Sequence, residues 1–241
     1  KIKIENIDKT APSIEVSYNI TTPTNKEVIV AIQSNEELQP LEGWELSANK
    51  RSLSKKYAEN KTETITIKDL AGNTATAQVN IENIDKIVPT AEVSYNITTP
   101  TNQEVIATIK SNEPIKPVEG WILDNSQTTL TKTFNKNAEE QVKITDLAGN
   151  ETIVNIKVAN IDTTEIQAEV KYSTTILTNK DITVTINSNK ELKEVPGWKL
   201  SANKKTLTKT FSTNSEEEVN LEDLSGKTKK ININISNIDK T

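Results

Sequence analysis

From residue 14 onward, apolar and polar positions alternate with the period of a strand. Ile14, Val16 and Tyr18 alternate with Glu15 and Ser17, and Val28, Val30 and Ile32 repeat the pattern. A period of two rather than 3.6 predicts half-buried β-strands. Trp44 and Leu46 begin a third strand after a turn region at Pro40 and Gly43, and Leu53 to Tyr57 form a weaker fourth. Ile65 and Ile67 belong to a fifth, and Ala77, Val79 and Ile81 close the set. Six or seven short strands with no amphipathic helix predict two facing sheets of the immunoglobulin kind, with a small barrel as the alternative.

The same pattern then returns without a gap. The tripeptide NID stands at Asn6-Ile7-Asp8, Asn83-Ile84-Asp85, Asn160-Ile161-Asp162 and Asn237-Ile238-Asp239, each 77 residues after the last. Gly43-Trp44 maps onto Gly120-Trp121 and Gly197-Trp198, and Asp69-Leu70 onto Asp146-Leu147 and Asp223-Leu224. A unit of this length has the size of an independently folding domain and is too long for a solenoid turn. The expected organisation is therefore residues 1–8 as the remnant of a preceding repeat and its linker, repeat one at 9–85, repeat two at 86–162, and repeat three at 163–241 including the start of a further linker. Ile2 and Ile4, one period before Val79 and Ile81, represent the last strand of that preceding copy, and the array is expected to continue in both directions. The predicted fold class is all-β: three tandem immunoglobulin-like β-sandwich domains, elongated.

Composition narrows the chemistry. Cys, His and Met are all absent from the 241 residues, which removes disulfides, thiolate nucleophiles, Cys-ligated zinc, the usual general base and the commonest transition-metal ligand. An enzyme is not expected, since a hydrolase needs a titratable constellation that this composition almost lacks. Lys and Arg number 29 and Asp and Glu 34, spread along the chain for a net charge of −5, so no basic stripe invites nucleic acid. No apolar run reaches the roughly 18 residues that would insert this fragment in a membrane.

The linker IDKTAP at Ile7 to Pro12 and the late DLAGN at Asp69 to Asn73 and Asp146 to Asn150 resemble the bacterial immunoglobulin-like (Big-type) tandem repeats of cell-surface adhesins. In those repeats a D-x-T-A-P opening and a D-x-A-G-N turn bracket each domain. The resemblance spans all three copies and implies a secreted, extracellular protein of the cell surface or cell wall, used as a stalk. Copy three departs from it, with Ile166 where Pro12 and Pro89 stand and Lys227 where Asn73 and Asn150 stand. The missing proline predicts a looser joint there.

Two readings of the DLAGN segment stand side by side. In one, Gly72 and Gly149 supply positive φ in a turn whose Asp and Asn bond their own backbone. In the other, which the resemblance favours, calcium is the cofactor at the domain junctions, with Asp8, Asp69, Asn73, Asp85, Asp146, Asn150 and Asp162 as ligands, because hard cations need clustered oxygens. Trp44, Trp121 and Trp198 likewise admit two readings, as core residues of a sandwich or as exposed aromatics in contact with a ligand. The acidic pairs, Glu36-Glu37 and Glu139-Glu140 among them, read as solvated loop charge.

The function expected from these observations is a spacer that projects a functional head from the cell. Its partners are then the neighbouring repeats of the same chain. The competing expectation is a multivalent module with one weak site per repeat for a host protein, a glycan or a cell-wall polymer, gaining strength through avidity.

Overall fold

A computed structural model describes residues 7–241; the expected strand around Ile2 and Ile4 lies outside the described residues. Copy one has six strands: β1 (Ile14–Tyr18), β2 (Val28–Ser34), β3 (Glu45–Leu46), β4 (Ser52–Tyr57), β5 (Lys61–Lys68) and β6 (Thr74–Ile81). Copy two repeats them as β7 (Ala91–Tyr95), β8 (Val105–Ser111), β9 (Ile122–Leu123), β10 (Thr129–Phe134), β11 (Ala138–Thr145) and β12 (Glu151–Val158). Copy three has β13 (Ala168–Tyr172), β14 (Ile182–Ser188), β15 (Lys199–Leu200), β16 (Thr206–Phe211), β17 (Ser215–Glu222) and β18 (Thr228–Ile235).

In each copy the first four strands form a sheet ordered β1-β2-β4-β3 or its equivalent, and the last two form a hairpin sheet. The chain is all-β, with three pairs of sheets compatible with three β-sandwich domains. It divides into two compact units, one of residues 1–92, 110–130 and 142–154 and the other of residues 93–109, 131–141 and 155–241. The division runs through copy two.

Alternation places the core. In copy one, β2 is an inner strand between β1 and β4, with Val16 and Leu53 in register on either side of Ile32. Val28, Val30, Ile32, Leu53, Ile67, Val79 and Ile81 are buried together, and Trp44 packs against them from the rim. Copy three repeats the arrangement with Ile182, Val184, Ile186, Leu207, Leu221, Ile233 and Ile235. The polar residues between them face solvent, as expected of antiparallel sheets covered on one face only.

The NID tripeptide sits just past the closing strand, and its three side chains do different work. Asn83 donates to the carbonyls of Ile20 and Thr22 in the β1–β2 loop. Ile84 is buried in the core, and Asn60 clamps its backbone by accepting from its N–H and donating to its carbonyl. Asn137 and Asn214 hold Ile161 and Ile238 the same way. Thr24 pairs with Ile84 in a short parallel bridge, accepting from the Asp85 N–H at 2.9 Å and donating to the Asn83 carbonyl at 2.8 Å. The chain therefore leaves copy one along a fixed path, and Asp85 arrives at the next copy in a defined position.

Candidate functional site: the carboxylate junctions

The turn between the last two strands is built around one buried aspartate. Asp69 is 1% exposed; its Oδ1 accepts from the Asn73 backbone N–H at 2.8 Å, and its Oδ2 accepts from the Asn73 side-chain amide at 2.7 Å. Gly72 turns the chain at φ 95°, a left-handed backbone that side chains disfavour. Burial alone would raise the Asp69 carboxyl, but the donors of Asn73, Gly72 and Ala71 outweigh it and lower it below the usual range. Asp146 is held the same way by Gly149 and Asn150. The turn-forming account of DLAGN is thus visible in the geometry.

The linker aspartate preceding each copy lies against that turn. The Asn73 amide also reaches the Asp8 carbonyl, and the Asn150 amide donates to the Asp85 carbonyl at 3.0 Å. The Asp8 Oδ1 accepts from Thr10 N–H, and the Asp85 Oδ1 from Ile87 N–H. Across the junction of copies one and two, the Asn25 N–H donates to the Ala148 carbonyl, and within copy two the Thr152 hydroxyl donates to the Pro89 carbonyl of the entry segment.

A third carboxylate, absent from the sequence expectation, completes each group. Asp8, Glu36 and Asp69 bring carboxylate oxygens within 4.8 Å of one another, and so do Asp85, Glu113 and Asp146. The Glu36-Glu37 pair, expected to be solvated, divides. Glu37 is exposed and pairs with Lys50 at 3.6 Å, while half-buried Glu36 turns into the cluster. Burial, then Asp8 and Asp69, raise the Glu36 carboxyl, with Arg51 opposing. Burial, then Asp146 and Asp85, raise Glu113, with Asn112 opposing. The 77-residue register places Glu36 and Glu113 at one position, which was the signal available in the sequence.

Asn73 and Asn150, expected as ligands, donate their amide nitrogens to the aspartates and so brace the carboxylates, which leaves the side-chain oxygen as the atom each could offer an ion. Asp162, expected as a ligand, joins no such cluster among the described residues. It pairs with Lys190, the residue one period after Glu113, and accepts from the Thr164 N–H and hydroxyl. Its carboxyl is lowered to about 2, first by the hydrogen bond from Lys190 and then by Thr164.

The tryptophans pack inward. Trp121 and Trp198 are buried and Trp44 is half-buried. Trp44 meets Tyr57 edge to face at 6.3 Å, with the Lys55 ammonium over both rings at 5.6 and 4.9 Å. Trp198 meets Phe211 at 6.2 Å and donates to Glu217 at 2.8 Å. In copy one the corresponding carboxylate, Glu63, accepts from the Tyr57 hydroxyl at 2.5 Å and from Lys55 at 3.2 Å.

Hydrogen bonding from Tyr57, opposed by burial and assisted by Lys61 and Lys55, lowers Glu63 from 4.5 to about 2. A lowered acid contributes stability that is full above its unfolded value and lost as pH falls through its folded one. Copy one should therefore lose stability between about pH 4.5 and pH 2. Glu63→Gln should flatten that window and cost about 1–2 kcal/mol at pH 7, allowing for the group's access to solvent. Urea midpoints of both proteins across pH 2 to 7 provide the check, and parallel pH curves would refute it.

No family model matches the chain, and no curated protein matches it. Among solved structures it is similar to one described as a crystal structure with xylogluco-oligosaccharide. That likeness has a TM-score of 0.26 and 12% identity, covering 92% of this chain and 59% of the other, a level at which neither fold nor ligand carries over.

Proposed function

We propose that the chain is a spacer segment of a bacterial cell-surface adhesin-like protein, made of immunoglobulin-like sandwiches in tandem and displayed outside the cell. The observation that carries this reading is the structured linker. Asn83 and Asn60 fix the path out of copy one, and the Asp85 carbonyl accepts from Asn150 in the turn of copy two while its carboxylate accepts from Ile87. A free tether needs none of these bonds, whereas a stalk needs its joints defined.

Calcium is the ion that the family resemblance implies at these joints, and the residues present fit it at two of them. Three carboxylates converge in each, offering hard oxygen donors, and burial followed by the two neighbouring aspartates raises Glu36 and Glu113. Asp8, Glu36 and Asp69 would hold one ion, and Asp85, Glu113 and Asp146 a second. When bound, the ion would supply charge neutralisation between linker and turn.

Antibody raised against this chain is expected to label intact cells of the source organism without permeabilisation. Labelling that appears only after lysis would remove the surface reading. A panel of glycans, cell-wall polymers and extracellular host proteins is expected to show no binding to the isolated chain. A saturable ligand whose affinity falls on Trp44→Ala would instead favour the multivalent binding module.

A further inference from the structure

The third joint follows the same backbone design as the other two but with the opposite charge at its centre. Glu36, Glu113 and Lys190 each donate their backbone N–H to the serine two residues before, Ser34, Ser111 and Ser188. The three side chains therefore leave equivalent positions. At the first two joints, this position adds a third carboxylate to a pair of aspartates. At the third it places an ammonium on Asp162, with only 18% of the Lys190 side chain exposed.

The turn of copy three has changed to match. Asp223 is buried like Asp69 and Asp146, and its Oδ1 accepts from Ser225 and from the Lys227 N–H. Lys227 replaces the bracing asparagine and sends its ammonium to Glu165 at 2.9 Å, leaving the buried Asp223 Oδ2 with no partner. That oxygen belongs to a residue lining a cavity of about 160 Å³ that Asp162 and Lys190 also line. Lys190 has three N–H donors and Asp162 takes one, so the cavity joins a cation to a buried anion short of donors. The apolar seat is kept as well, because Ile166 is 2% exposed where proline stands in the other copies, and Lys229 donates to its carbonyl.

A divalent ion does not fit this set. Of the three carboxylates that line the cavity, Glu191 is exposed and Asp162 is already paired, and a fixed ammonium beside them repels a second cation. We infer that the joint leading into copy three is closed by Lys190 acting as a built-in cation, so that it holds without metal while the joints leading into copies one and two depend on one. The metal half of this statement rests on the calcium reading above; the lysine half does not.

The two halves are tested in the full chain. Equilibrium dialysis is expected to give two calcium ions per wild-type chain, one in Glu113→Lys and three in Lys190→Glu; three in the wild type would overturn the inference. Amide exchange in chelator reads the joints separately. Thr164, whose N–H bonds Asp162, is expected to stay protected while Ile87, at the equivalent position of the second joint, loses protection. Lys190→Met, which keeps the apolar stem, is expected to speed Thr164 exchange about tenfold with Ile87 unaffected. Unchanged Thr164 exchange in that variant would overturn the inference. If no calcium binds the wild type yet Lys190→Met exposes Thr164, the calcium reading fails and Lys190 is still upheld as the closing cation.

Discussion

Ile32→Ala is expected to destabilise copy one by about 3–4 kcal/mol and to separate its melting from that of copy three. Ile32 is fully buried on an inner strand, flanked in register by Val16 and Leu53. A domain of this size has only about 4–12 kcal/mol to lose. Differential calorimetry should show a new transition roughly 15–25 °C below the remainder. A single transition that moves as a whole would show that the copies unfold together.

Glu113→Gln should change sign with metal. In chelator, replacing Glu113 removes a crowded carboxylate beside Asp85 and Asp146, so the variant is expected to be as stable as wild type or slightly more so. In calcium the order reverses. An ion present at a hundredfold over its dissociation constant stabilises by about 2.7 kcal/mol, and the variant loses most of that increment. Melting temperatures of both proteins with calcium and with chelator decide it. A variant that gains as much from calcium as wild type would remove Glu113 from the ligand set.

The strands of copy one were legible because period-two alternation is a local signal, and the exact 77-residue return carried it to the other copies. Glycine at positive φ was legible for the same reason, since the DLAGN turn closes within five residues. The partners of Asp8 were not. Glu36 and Asp69 lie 28 and 61 positions further on, and only the folding of two loops from different sheets brings them together. Charge on a loop reads as solvated until something packs over it, which is why the sequence alone groups Glu36 with Glu37 as surface charge.

The role of NID was hidden in a related way. The repeat marked its importance, but Asn60, which clamps the buried Ile84, bears no resemblance to a motif. For the third joint the proline pattern pointed toward looseness, whereas Ile166 fills the same seat and two lysines add ion pairs. The proline rule weighs backbone freedom, and these contacts are a separate contribution that the sequence pattern does not carry.

The short parallel bridge between Thr24 and Ile84 has a mechanical consequence. In copy one the incoming linker meets the turn that precedes β6, while the outgoing linker follows its far end, so tension between the two runs along β6. The bonds joining Thr24 to Asn83 and Asp85 belong to a parallel pair and run slanted between the two segments. A pull on the chain slides the two segments past each other and strains both bonds together, rather than peeling them open one at a time. The asparagine clamp on Ile84 stands behind them in the same path, so resistance to force is concentrated at the last few residues of the repeat.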